Sequence, residues 1–71
     1  MNINCEDWVN RYGSILFRYA MYRTNNKDVA EDLVQDTLLA AIKSASRFTS
    51  KSSEQTWLIG ILRHKILDYF R

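Results

Sequence analysis

The sequence predicts an all-α fold, a compact bundle of three main helices, and three observations carry that expectation. The 71 residues include no proline and only two glycines, Gly13 and Gly60, so the turn residues that a β-rich domain of this length requires are missing. Hydrophobic residues make up 46% of the chain and aromatics 13%, which suffices for a small core and disfavours disorder. Apolar residues recur at three- and four-residue steps in three stretches separated by polar breaks. A chain of this size buries only about 60% of its surface on folding, so one domain spanning residues 1–71 with modest stability is expected.

The first helix is predicted over about residues 4–23, with Asn4 as N-cap and Glu6 and Asp7 at the positive end of the helix dipole. Trp8, Val9, Tyr12, Ile15, Leu16, Tyr19 and Ala20 form its apolar face. Thr24-Asn25-Asn26 is the first break, and Asn25 or Asn26 caps the second helix, predicted over about residues 27–47. Its apolar stripe is Val29, Ala30, Leu33, Val34, Leu38, Ala41, Ile42 and Ala45. Acidic residues crowd its start and Lys43 and Arg47 lie near its end, a polarity that matches the dipole. After a Ser/Thr/Lys loop, Ser52 and Gln55 read as a capping box for a third helix over about residues 53–71. That helix is apolar on more than one side, which predicts that it is buried or covered by a partner.

The composition excludes several function classes. Cys5 is the only cysteine, so neither an intrachain disulfide nor a thiolate metal cluster can form. No apolar run approaches the ~20 residues of a membrane span and no signal peptide opens the chain, which predicts a cytoplasmic protein with no membrane partner. There is no glycine-rich phosphate loop, nucleophile elbow or metal-spaced histidine pair, and His64 stands alone. The acidic cluster lacks the Glu-x-x-His pairs of a di-metal bundle. A non-enzymatic protein with no cofactor, no metal and no small-molecule substrate is expected.

Two surfaces are candidates for function. At ~100° per residue, Asp32, Gln35, Asp36, Leu39 and Lys43 project within one sector of the second helix, away from its apolar stripe. Leu39 is an aliphatic residue in a mostly acidic face. Such a face is either a solvated one with a stray leucine or a docking face for a basic helix with Leu39 as anchor. The second surface interleaves basic and aromatic residues: Arg47, Phe48, Lys51, Trp57, Arg63, His64 and Lys65. Cations for phosphates and flat side chains for unstacked bases suit single-stranded nucleic acid. By burial habit, Trp57 belongs rather to the core, and Lys65 lays its stem along the bundle. A net charge of +2 does not decide the matter.

Two stretches resemble a known family. Ala30-Glu31-Asp32-Leu33-Val34-Gln35-Asp36-Thr37-Leu38-Leu39 resembles the A-E-D-L-V-Q-D-T-F-L signature of extracytoplasmic-function (ECF) sigma factors, departing only at Leu38. Thr56-Trp57-Leu58, Ile61 and Asp68-Tyr69-Phe70-Arg71 are similar to the family's A/T-W-L-x-x-I-A-x-N-x-x-x-D-Y-x-R segment. The resemblance implies a region 2 domain, a transcription initiation domain with two partners. Asp32, Gln35, Asp36 and Leu39 would dock on the coiled coil of the largest subunit of the RNA polymerase core enzyme. Phe48, Lys51, Arg63 and His64 would engage promoter DNA, capturing non-template-strand bases of the −10 element. An anti-sigma factor is a further partner, and a sigma-like decoy that binds one without engaging DNA is the alternative. Three residues depart from the family pattern: His64 replaces an asparagine, Gly60 a basic residue and Glu54 an aromatic one. All three are expected on the DNA side, with Gly60 admitting the close approach of another backbone. The family's second domain, a helix-turn-helix that reads the −35 element, is not found in this sequence, and a fragment of a longer protein is expected rather than a stand-alone domain.

Overall fold

The computed structural model describes residues 5–47 and 53–71, and among these the chain forms three α-helices and no strand. They are α1 (Cys5–Thr24), α2 (Lys27–Lys43) and α3 (Glu54–Phe70), and each packs on both of the others. The all-α bundle expected from periodicity is therefore the fold observed. The Asn4 cap lies outside the described residues.

The α1–α2 link shows how two asparagines make a turn without glycine. Asn25 adopts a left-handed conformation (φ 52°), and its N–H donates to the Met21 carbonyl at 2.8 Å. Asparagine tolerates that region better than most residues, which makes it a usable helix terminator. Asn26 is extended, and its side-chain oxygen accepts from the Val29 N–H at 3.1 Å as the N-cap of α2. So short a link turns the chain back on itself and lays α2 beside α1.

The core is Trp8, Leu16 and Ala20 from α1, Ala30, Leu33, Val34 and Ala41 from α2, and Leu58, Leu62 and Ile66 from α3. Two members of the expected stripes face solvent instead: Val9 is 56% exposed and Ile42 48%. In place of Ile42, α2 buries Thr37 completely, and the hydroxyl donates back to the Leu33 carbonyl at 2.8 Å. That internal bond lets a polar residue occupy the core at no unpaired cost. Among the described residues no buried side-chain nitrogen or oxygen lacks a hydrogen-bond partner.

Two helix boundaries differ from expectation. The second helix ends at Lys43, not near Arg47, and continues as a 3₁₀ turn over Ala45–Arg47. There the Ser44 N–H reaches the carbonyls of Ala40, Ala41 and Ile42, and the Arg47 N–H closes on Ser44 at 2.8 Å, so the last turn tightens. At the start of α3 the cap is Ser53, whose hydroxyl oxygen accepts from the Thr56 N–H at 3.1 Å. The pairing of Ser52 with Gln55 is thus displaced by one residue, and Ser52 itself lies outside the described residues.

Candidate functional site

The acidic sector of α2 is exposed as its spacing predicts. Asp32, Gln35, Asp36, Leu39 and Lys43 all face solvent, Leu39 at 56% exposure. Asp28 falls in the same sector one turn earlier and is also exposed. Asp28, Asp32 and Asp36 thus form a column at four-residue steps, where like charges repel by about 0.2–0.5 kcal/mol a pair. Among the described residues no cation pairs with any of the three. Leu39 is not alone either. Ile42 lies roughly 60° round the helix from it, so a two-residue aliphatic strip borders the acidic column. Sequence periodicity assigned Ile42 to the core because it sits at the edge of the apolar stripe.

On the opposite side of the chemistry, Arg63 and His64 are exposed on α3. Phe48 and Lys51, expected on the same surface, lie outside the described residues. Arg47 is exposed at the end of the 3₁₀ turn. Trp57 is half-buried and meets the buried Trp8 edge to face, with ring centroids 5.7 Å apart. Its indole therefore belongs partly to the core, as burial habit predicts, and keeps a face toward the surface. Lys65 is half-buried among these residues.

The three departures from the family pattern separate here. Glu54 turns toward α1: it accepts from the Trp8 indole N–H at 2.9 Å and the Tyr12 hydroxyl at 3.1 Å, and Arg11 approaches at 3.7 Å. Its expected place on the DNA side is corrected by these bonds, which clasp the first turn of α3 to α1. The same surroundings push the Tyr12 phenol above its ordinary 10.0, first by desolvation and then by its bond to the Glu54 carboxylate. Sequence reasoning missed the clasp, although Trp8 and Tyr12 one turn apart, each with a polar handle, point to a shared acceptor.

Gly60 departs from expectation as well. Among the described residues nothing lies within 4 Å of where its Cβ would sit, so no backbone of the chain approaches it. His64 remains on the outer face of α3, one turn beyond Gly60, and lines the same hollow of about 360 Å³ with Thr56, Trp57 and Ile61.

Comparison with known proteins decides the family. The sigma-70 region 2 profile matches residues 8–71, almost the whole chain. The chain belongs to the sigma-70 region 2 family. A Haemophilus influenzae protein named as a probable RNA polymerase sigma factor is 35% identical over 71 residues, covering 100% of this chain and 37% of that protein. The ECF RNA polymerase sigma factor SigX of Bacillus subtilis is 37% identical over 60 residues, 84% of this chain and 31% of the relative. The RNA polymerase sigma factor YlaC of the same organism is 33% identical over 66 residues, 93% of this chain and 38% of the relative. The chain thus spans about a third of the length of these curated relatives. No solved structure matches it. The resemblance to ECF sigma factors is borne out, and within the stretch Ala30–Leu39 the acidic residues Glu31, Asp32 and Asp36 are exposed on α2. Among the described residues no helix is long and apolar enough to cross a membrane, and no group of three or more His, Cys, Asp or Glu side chains could hold a metal ion.

Proposed function

We propose that this region 2 domain works in transcription initiation in the cytoplasm, docking on the RNA polymerase core through α2 and engaging the −10 element through the loop and α3. The observation that carries the docking half is the unneutralised column of Asp28, Asp32 and Asp36 beside the exposed Leu39 and Ile42. Three repelling carboxylates on a solvent face are tolerated at a small loss of helix stability, and a basic partner converts that loss into attraction. The aliphatic pair supplies the apolar centre that a docking face needs. A basic coiled coil in the largest polymerase subunit fits this chemistry, with Asp32, Gln35, Asp36 and Leu39 as the contact residues.

The DNA half rests on the exposed Arg63 and on His64, which shares a hollow with the half-buried Trp57; Phe48 and Lys51 precede α3 in sequence. Phosphates take the cations, and unstacked bases take the flat faces.

The experiment treats the two halves separately. Titration of the chain with the isolated polymerase coiled coil should show tight binding that Asp36→Lys weakens at least tenfold, a difference of about 1.4 kcal/mol. Titration with single-stranded −10 oligonucleotides should show affinity falling with salt, with a slope of roughly −0.7 per phosphate contacted. Lys51→Glu and Arg63→Glu should each weaken binding and flatten that slope. Unchanged coiled-coil binding in Asp36→Lys removes the docking face, and unchanged DNA binding in both charge reversals removes the DNA surface. Tight binding to an anti-sigma factor with no DNA engagement would instead mark a decoy.

A further inference from the structure

The partner chemistry that the acidic face of α2 calls for is present on the same molecule. From Trp8 to Thr24, α1 carries Arg11, Arg18 and Arg23 and no aspartate or glutamate. Arg11 is held by Asp7 and Glu54, and Arg23 lies over the Tyr19 ring. Arg18 is exposed and, among the described residues, meets no carboxylate. Beside it runs an apolar column at four-residue steps: the exposed Val9, then Gly13 and the half-buried Phe17. With Ser14 and Arg18 these residues line an open hollow of about 680 Å³. A Cβ on Gly13 would meet nothing within 4 Å among the described residues, and its φ is not positive, so neither packing nor backbone conformation calls for glycine there.

The two faces match at one register. Leu39 stands out from α2, and a helix surface bare of side chain at Gly13 is where such a knob seats most closely. Let Leu39 of one copy lie over Gly13 of another, with the two helices antiparallel. Arg18 is then about 7.5 Å along the axis from Gly13, while Asp36 and Asp32 are about 4.5 and 10.5 Å from Leu39 in the same direction. The guanidinium comes level with the gap between the two carboxylates. The fold supplies this register itself. Gly13 lies 11 residues before Thr24, the end of α1, and Leu39 lies 12 residues after Lys27, the start of α2, so the tight link sets them at nearly the same height. A two-fold axis parallel to these helices therefore brings α1 of each copy onto α2 of the other, a closed isologous contact.

We propose that this chain pairs with a second copy of itself, Leu39 over Gly13 and Arg18 between Asp32 and Asp36, and that the pair covers the face that docks on polymerase. The covering of a docking face rests on the reading of α2 given above; the pairing itself rests on charge and shape. Two short helix contacts fall at the low end of interface size, so the pair is weak and reversible, with a Kd on the order of 0.1 mM. Self-pairing and polymerase docking exclude one another, because both neutralise the same carboxylates. Chain in excess of core polymerase is then held with its acidic face covered and is released as core takes up the single copies.

Sedimentation equilibrium of the chain from about 10 μM to about 1 mM tests the pairing. The parent should pass from its 8.4 kDa monomer mass to twice that value, and added salt should move the transition to higher concentration. Arg18→Glu and Asp36→Lys should each weaken pairing at least tenfold while keeping the parent circular dichroism, since both side chains are exposed. An equimolar mixture of the two variants should recover the parent transition, because each contact then joins opposite charges again. Gly13→Leu, which fills the notch but meets no neighbour in its own chain, should also weaken pairing. Titrated with core polymerase at concentrations where the chain is monomeric, Arg18→Glu should bind as the parent does. A parent that stays monomeric at 1 mM in low salt overturns the pairing, and if Asp36→Lys still loses core polymerase the docking reading stands. Self-association that Arg18→Glu leaves unchanged, or a mixture that fails to recover it, places the contact elsewhere, for instance on the exposed Leu67 and Phe70 of α3, and overturns the proposal. Pairing lost in Asp36→Lys with polymerase binding intact upholds the pairing and removes the docking reading.

Discussion

Removing the Glu54 carboxylate should destabilise this domain far more than its place at the start of a surface helix suggests. Trp8 is only 1% exposed, and its indole N–H donates to Glu54 across 46 residues of sequence. In Glu54→Ala that N–H is left buried with no acceptor, at a cost of about 1–3 kcal/mol. The Arg11 contact adds little: at 3.7 Å, with the arginine side chain 58% and the glutamate 26% exposed, it is worth about 0–1 kcal/mol. A carboxylate in the first turn of α3 also gains about 0.3–1 kcal/mol from the helix dipole. The total is about 1–5 kcal/mol, or a fall in Tm of roughly 5–40 °C for a domain this small. Urea unfolding followed by far-UV circular dichroism measures it, and a double-mutant cycle with Trp8→Phe isolates the bond. In the Trp8→Phe background, Glu54→Ala should cost no more than about 2 kcal/mol, because the indole donor has already gone and only the Arg11 and dipole contributions remain. Glu54→Gln, which keeps a neutral acceptor, should fall between parent and alanine. A cost below about 0.5 kcal/mol for Glu54→Ala in the parent, or full additivity in the cycle, would refute the clasp.

Other consequences follow from the same contacts. The raised phenol of Tyr12 favours its neutral form in the folded state, so this contribution to stability is present below pH 10.0 and is lost as pH rises through the folded value. An absorbance titration should show a late phenolate transition that Tyr12→Phe abolishes, and the same substitution should soften the alkaline decline in stability. Asn26→Ala deletes the α2 cap and should cost about 1 kcal/mol in urea unfolding, whereas the neighbouring Asn25→Gly, which accepts the left-handed backbone freely, should change stability by only a few tenths. Asp36→Lys should leave Tm unchanged or slightly raised, since it replaces a repulsive step with Asp32 by an attractive one worth about 0.3–0.5 kcal/mol.

Local patterns carried most of the fold. The three helices, an asparagine cap at residue 25 or 26 and the exposed sector of α2 follow from spacing and local capping chemistry, because each depends on residues within a turn or two of one another. Positions decided at longer range were less legible. Thr37 is polar yet fully buried, since its hydroxyl finds the Leu33 carbonyl, and Ile42 was displaced outward at the edge of the stripe. The end of α2 has no glycine or proline to mark it; Ser44 closes the helix by gathering three carbonyls at once. Adjacent serines made the α3 cap ambiguous by one residue. Glu54 is the clearest case: its charge and its place in the family pattern pointed outward, and only the juxtaposition of Trp8 and Tyr12 across the bundle turns it inward. At the site, Asp32, Gln35, Asp36 and Leu39 could be grouped from sequence because one helix carries them, whereas the hollow at Gly60 depends on the shape of α3 between Trp57 and His64.

The most direct test of docking through α2 is a titration of core RNA polymerase with the chain labelled at its single cysteine, Cys5. The parent should bind saturably, with affinity weakening as salt screens the carboxylates. The double substitution Asp32→Lys and Asp36→Lys should keep the parent fold by circular dichroism and lose at least a hundredfold in affinity, about 2.7 kcal/mol. Parent-like affinity in that folded variant would contradict the account.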